Sequence, residues 1–352
     1  MSDCDTFSLV SSNDNEEWGD EIPPTESEKA SEAAFIARVW EKYNAGVPLY
    51  TKEMIRFAQQ QISQNPLPYA IQVLGFDGEL HPNTLPLWWS APSERRMYPV
   101  LMFASIEEIT SPAPHRILSQ EFACVRVGGQ SRDGTLSVPE VPLNEAGAGF
   151  EANFQLWEQS ETWKQLKQSL GPCLARLPEI DKIIGFGLGY ITGREYTGDV
   201  ESRKDGPCTQ HALLITLARY LEQETGRAVK CYVQDPAYSD TCKAVLGARN
   251  IEVLEPEDGF LLVDDKSVVL SFSPNVPVRQ ITADLARPAM MIWDRVVLPT
   301  ERPWRRLKRG GWLSPHTTDP VSPRVLAMAR EYTEIPSDDE FLRAIGVYVR
   351  QD

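Results

Sequence analysis

The sequence predicts an α/β fold of Rossmann-like type. It reads as a mostly parallel sheet with helices on both faces, preceded by an N-terminal α+β segment. Three observations carry this. Short apolar runs alternate with helical stretches from Ile183 to Asp294, the pattern of a parallel sheet covered by helices. The first run, Lys182 to Tyr190, ends in glycines at alternate positions, Gly185, Gly187 and Gly189, where backbone can approach backbone or ligand closely. The second run closes on Asp235-Pro236, which puts a carboxylate where sheets of this type grip a ribose hydroxyl.

Each element of that stretch has a local reason. Gly206-Pro207 stands where a helix starts, since proline is tolerated in a first turn. Cys208 to Glu224 has so few polar positions that it reads as a buried helix, and Gly226 ends it. Val229 to Gln234 is the second strand, Tyr238 to Leu246 a helix and Ile251 to Leu254 a short strand. Ser267 to Phe272 is an apolar strand broken by Ser273-Pro274-Asn275, Val278 to Leu285 a short helix, and Ala289 to Trp293 the last apolar run.

These pieces, in this order, resemble the SRR-like family, named for sensitivity to red light reduced. The resemblance rests on Gly185-Phe186-Gly187-Leu188-Gly189, Gln210-His211-Ala212-Leu213-Leu214, Gln234-Asp235-Pro236-Ala237-Tyr238, Ser273-Pro274-Asn275-Val276-Pro277 and Trp293-Asp294. The family often has His-Cys where this chain has Asn275-Val276, and a Ser ahead of the Gln where this chain has Cys208-Thr209. No role of that His and Cys is carried over. The resemblance implies a Rossmann-like domain over residues 172–296 and a regulatory association, in plants with light signalling and the circadian clock. It supplies no chemical activity.

Upstream, residues 1–28 hold nine carboxylates and no Lys or Arg, and read as a disordered acidic tail in which Phe7, Leu9, Val10 and Trp18 are the handles for a partner. Residues 29–171 read as helices and a small β-containing segment. Ser31 to Asn44 places Phe35, Val39 and Tyr43 on one helical face. Thr51 caps a helix through Ile62, with Glu53 in its first turn. Tyr69 to Leu74, Val100 to Phe103, Phe122 to Val127 and Thr135 to Val138 read as strands, with Gly128-Gly129 and Asp133-Gly134 in a hairpin connection. Trp88-Trp89 reads as a buried plug. Pro139 to Gly149 reads as a linker and Phe150 to Leu170 as one helix stopped by Gly171-Pro172. Residues 297–352 read as a C-terminal extension. It begins with the one basic cluster, Arg302, Arg305, Arg306, Lys308 and Arg309, interleaved with Trp304 and Trp312, and continues with a helix from Ser322 to Tyr332.

Composition narrows the function. A chain of 352 residues with 42% hydrophobic content has room for one large core or two modest ones. A net charge of −15 disfavours nucleic acid as a partner; without residues 1–28 the remainder is near −6. No run of 18 apolar residues predicts a membrane span, and no basic-then-apolar leader is visible. Six scattered cysteines without Cys-x-x-Cys read as reduced thiols, which predicts the cytoplasm or nucleus.

The candidate site is Gly185, Gly187, Gly189, Gln210, Asp235 and Asn275; Gly185, Gly187, Gly189 and Asp235 line the carboxyl edge of the parallel strands, and Gln210, in the helix, hydrogen-bonds either the glycine strand or a ligand. A dinucleotide fingerprint wants glycine at position 190, which is Tyr190, and a helix at once, whereas 17 residues from Ile191 to Pro207 intervene. A methyltransferase strand usually carries an acid where Ile183 stands. Both S-adenosylmethionine and a dinucleotide therefore stay open as adenine-containing ligands. So does a purely structural role, in which the glycines serve a tight strand exit. His81, His115, His211 and His316 lack metal spacing, and His211 reads as a satisfied core histidine. No catalytic residue stands out. Three functions follow: a regulatory protein acting through protein partners, a cofactor-binding enzyme or sensor, and an interaction module with an empty pocket.

Overall fold

The computed structural model describes residues 25–64, 70–84, 97–111, 122–131, 141–174, 177, 179–192, 206–255, 257–298, 300, 302–307, 312–336 and 344–351. The acidic tail before Thr25, Trp88-Trp89, the strand expected at Thr135 to Val138 and most of the Ile191 to Pro207 insertion lie outside these residues.

Two helices come first, α1 (Glu26–Asn44) and α2 (Lys52–Ile62). Thr25 and Glu28 form a reciprocal cap at the start of α1, and Thr51 accepts the Met54 N–H to start α2. The expected apolar face of α1 is buried at Phe35, Val39 and Tyr43. Strands β1 (Ala70–Leu74) and β2 (Leu80–Thr84) pair antiparallel; so do β3 (Met97–Phe103) and β4 (Val125–Ser131), with α3 (Ile106–Thr110) between the latter two. Gly128-Gly129 is no hairpin connection. It lies inside β4 opposite Val100 and Pro99, and a Cβ on Gly128 would sit 2.2 Å from the Met102 sulfur. The glycine leaves room for the Met102 side chain across the ladder, and no turn forms there.

The expected linker and single helix are also corrected. Helix α4 (Leu143–Gln159) begins inside the linker, and α5 (Glu161–Leu174) follows it directly. Ser160 breaks the two at ψ 149°, its hydroxyl accepting the Trp163 N–H. Phe150, Phe154 and Trp157 anchor α4, and Trp163, Leu166 and Leu170 anchor α5. Pro172 lies in the last turn, where the lost ladder bond is offset by Cys173 and Leu174 packing on the core.

The central sheet is built from β5 (Lys182–Phe186), β6 (Lys230–Gln234), β7 (Ile251–Val253), β8 (Ser267–Ser271), β9 (Met290–Asp294), β12 (Tyr332–Ile335) and β13 (Ile345–Arg350). Its order is β12-β13-β9-β8-β5-β6-β7. The strands from β5 to β9 are mutually parallel, and β13 runs antiparallel to both β9 and β12. The fold is thus a mostly parallel, Rossmann-like α/β sheet. Residues beyond 296 supply two of its strands.

Alternation along the strands divides the interior into two apolar layers. Ile183, Val268, Leu270, Met290 and Ile292 face α4, α5, α6 (Pro207–Thr225) and α7 (Asp240–Gly247). Ile184, Phe186, Val269, Met291 and Trp293 face α1, α2, the two hairpin sheets, α8 (Asp258–Leu262), α9 (Val278–Leu285) and α10 (Pro323–Ala329). The N-terminal helices therefore pack on the sheet, on both of its faces. Arg324 of α10 fastens the end of α1 and its link to α2. It donates to the carbonyls of Tyr43 (2.6 Å) and Val47 (2.7 Å), pairs with Asp284 (2.8 Å) and lies 3.9 Å above the Tyr43 ring. Asp284 in turn accepts the N–H groups of Leu49 and Tyr50. Among the described residues no helix is long and apolar enough to cross a membrane, and no cluster of three metal-ligating side chains occurs.

Candidate functional site at the carboxyl edge of the sheet

From β5 the chain moves outward one way to β6 and β7, and then the other way to β8 and β9. The point where the direction reverses lies between β5 and β8, and such a reversal opens a crevice at the carboxyl edge. The chain leaving β5 there is shaped by two glycines with positive φ, Gly187 at 65° and Gly189 at 75°. A Cβ on Gly187 would approach Pro274 at 3.2 Å, and one on Gly189 would approach the Pro207 ring at 2.8 Å. Both glycines thus meet a conformational need and a close approach by the protein's own prolines.

Neighbouring strands hold this exit in place. The Gly187 N–H donates to the Gln234 carbonyl (3.1 Å), and the Gly189 N–H donates to Asp235 Oδ2 (2.7 Å). Asp235 Oδ1 accepts the Ala237 N–H (2.8 Å), closing the turn after β6. Burial pushes the Asp235 carboxyl above its ordinary range, against the pull of these N–H groups.

The sequence-predicted residues are not all at this edge. Gly187, Gly189 and Asp235 meet there. Gln210 lies half-buried in the first turn of α6, near Pro207, and Asn275 is exposed next to Pro274. Gly185 lies within β5, where its missing side chain makes room for Leu188 and Leu214. His211 is buried between Pro207 and Tyr238: one ring nitrogen meets the Pro207 carbonyl (2.6 Å) and the other the Tyr238 hydroxyl (2.8 Å). Burial lowers its pKa to about 4, so it stays neutral at neutral pH.

Other groups at this edge gave no signal in the sequence. Glu257 sits in the loop between β7 and α8, two residues before Gly259, whose N–H donates to the Gln234 side chain (2.9 Å). Its backbone is left-handed at φ 72°, it is 7% exposed, and burial with Asp258 beside it pushes its carboxyl up to about 8. Past β8, Ser273 has φ 45° and donates its N–H to Asp294. Arg279 is buried on Asp319 and on the Asp294 carbonyl, and Thr318 donates to the Pro274 carbonyl (2.5 Å). Residues beyond β9 therefore reach back to the crevice wall.

Residues 164–344 match the SRR1 domain family, about half of the chain. The chain belongs to this family. The matched range includes most of α5, six of the seven sheet strands (all but β13) and the basic cluster at residues 302–309. No curated protein matches the chain. Among solved structures, MtNAS in complex with MTA and tNA has 10% identity and a TM-score of 0.26, covering 60% of this chain and 71% of its own. The Burkholderia thailandensis 1,6-didemethyltoxoflavin-N1-methyltransferase with bound S-adenosylhomocysteine has 13% identity and a TM-score of 0.25, covering 62% of this chain and 94% of its own. At these scores neither likeness carries an argument about ligand or reaction.

Proposed function

We propose that this SRR1-family chain is a regulatory protein that takes a small adenine-containing ligand at the reversal between β5 and β8. The observation that carries the reading is the Asp235 carboxylate closed on the Gly189 N–H. It draws the exits of β5 and β6 together at the place where open α/β sheets receive nucleotides. Each Asp235 oxygen meets one backbone donor, which leaves lone pairs for the hydroxyls of a ribose. S-adenosylmethionine and the nicotinamide dinucleotides both present such a ribose. In this reading Asn275, exposed past β8, meets the rest of the ligand.

The test is thermal unfolding of the full chain with S-adenosylmethionine, S-adenosylhomocysteine, nicotinamide dinucleotides and ATP. A ligand at about 100 times its Kd stabilises by roughly 2.7 kcal/mol, an increase of several degrees in Tm. A rise with one ligand that is lost in Asp235→Asn supports the site. No rise with any of them overturns it.

A second reading, action through a protein partner, rests on a different observation. Strands β10 (Arg305–Arg306) and β11 (Trp312–Leu313) form a small antiparallel ribbon beyond β9. Arg302, Arg305 and Arg306 are exposed there, and Val297, Leu298 and Leu307 are 58%, 75% and 48% exposed. A basic surface with bared apolar side chains suits a partner with an acidic, apolar face. Partners recovered with the full chain and lost with Arg305→Gln/Arg306→Gln would support this reading. Identical recovery with both would overturn it.

A further inference from the structure

We infer that the ligand of the β5–β8 reversal is an adenosine whose 5′ group carries no phosphate, a sulfonium or thioether nucleoside of the S-adenosylmethionine kind and not a dinucleotide. The inference rests on the ligand reading above and decides between the two classes that reading admits.

Strand order is the first ground. A dinucleotide lies across two mononucleotide halves, each built on adjacent parallel strands. The first half is whole: β5, β6 and β7 are adjacent and parallel. The second is split. Strands β8 and β9 pair in parallel, but antiparallel β13 stands between β9 and β12. One nucleoside thus finds a complete half-site and a second does not.

The direction of the backbone donors is the second ground. Phosphate-binding loops turn glycine N–H groups and a helix N-terminus toward the ligand. Here the Gly187 N–H donates to the Gln234 carbonyl (3.1 Å) and the Gly189 N–H to Asp235 (2.7 Å). Ser273, past β8, donates its N–H to Asp294 (3.1 Å). Two prolines stand against the glycines. A Cβ on Gly187 would lie 3.2 Å from Pro274, and one on Gly189 would lie 2.8 Å from Pro207. Proline offers a phosphate no N–H, and Pro207 is the first residue of α6.

The start of α9, after β8, is the third ground. The anion at that helix end is the protein's own Asp319, which is 3% exposed. Its carboxylate accepts the Arg279 backbone N–H (3.1 Å) and the Arg279 Nε–H (2.9 Å). The guanidinium also donates to the Asp294 carbonyl (3.1 Å). The charge that would draw a phosphate to this side is therefore already neutralised. With the Asp235 carboxylate on the ribose, a further anion is repelled and a cationic 5′ group is attracted.

The experiment is isothermal titration of the full chain with S-adenosylmethionine, S-adenosylhomocysteine, AMP and NAD. Displacement of bound S-adenosylhomocysteine by AMP or NAD keeps the comparison at one site. S-adenosylmethionine and S-adenosylhomocysteine should both bind. AMP and NAD should be weaker by roughly tenfold or more, the worth of one hydrogen bond to a charged group left unmade. S-adenosylhomocysteine should also weaken by roughly tenfold or more in Asp235→Asn, on the same ground. The displacement series uses the natural chain and so stands whether or not that variant folds. AMP or NAD displacing S-adenosylhomocysteine at equal or lower concentration would overturn the inference and leave the ligand reading standing. So would binding of NAD alone. Binding by none of the four would overturn both.

Discussion

Replacing Glu257 by Gln should remove one steep component from the pH dependence of stability. The residue is 7% exposed, and its carboxyl, without a hydrogen-bond partner among the described residues, is pushed from 4.5 up to about 8 by burial and by Asp258. The folded state therefore holds a proton that the unfolded chain releases near pH 4.5. The stability tied to this proton is complete below pH 4.5 and is lost as pH rises through about 8. At about 1.36 kcal/mol per pH unit, the whole displacement is worth on the order of 4–5 kcal/mol. Glutamine keeps the shape and cannot ionise. Glu257→Gln should match the natural chain at pH 4.5 and exceed it by several kcal/mol at pH 8.5, an order-of-magnitude figure from the same linkage. Glu257→Gly should lose the same pH-dependent component and, relative to Glu257→Gln, add about 1 kcal/mol at every pH, because φ 72° strains any residue with a Cβ. Urea unfolding at half-unit pH steps measures both. Parallel stability curves for Glu257→Gln and the natural chain between pH 5 and 8 would refute the reasoning, since the buried carboxyl would then be ionised in the fold.

The remaining predictions concern the strand exit, the clasp on the N-terminal helices and the buried histidine. Gly189→Ala should cost about 2–4 kcal/mol, the left-handed penalty plus a clash with Pro207, whereas Gly226→Ala, at φ 70° with open space around it, should cost only about 1 kcal/mol. Equal urea midpoints for the two variants would show that Pro207 yields. Arg324→Ala should cost about 3–5 kcal/mol in denaturant unfolding, because it strands the buried Asp284 and the carbonyls of Tyr43 and Val47. A loss under 1 kcal/mol would mean that the clasp holds little. The His211 ring should show no titration by NMR above about pH 5, since burial depresses its pKa to about 4. Its contribution to stability is present above pH 6.5 and is lost as pH falls toward 4. A midpoint near 6.5 would contradict the burial.

The parallel core was legible because its signals are local. Glycines at φ 65°, 75° and 70° stand where the chain exits β5 and ends α6, and Val278–Leu285 is a helix over the residues its spacing predicted. Thr51 capped α2 for the same reason. What was missed depends on distant partners. Gly128 looks like a turn residue until Met102 is found across the ladder. The break at Ser160 is invisible beside an uninterrupted apolar pattern, because a single hydroxyl cap makes it. At the site, Asp235 and the glycines were found by their place after apolar runs. Glu257 gave no signal, because its burial comes from packing that no nearby residue announces.

The position of β13 has a consequence for how the chain acquires its shape. It is later in sequence than β12 yet lies between β12 and β9. Until residues 345–350 are available, β12 has no neighbour to join and Met290–Asp294 is an unpaired apolar border. A nascent or truncated chain halted between 336 and 344 thus presents an open template for the strands of other chains. The final pairing must span the long interval from Asp294 to Ile345, and such distant closure is slow. The wait for that one strand is the interval in which the growing polypeptide keeps an unpaired edge open to aggregation.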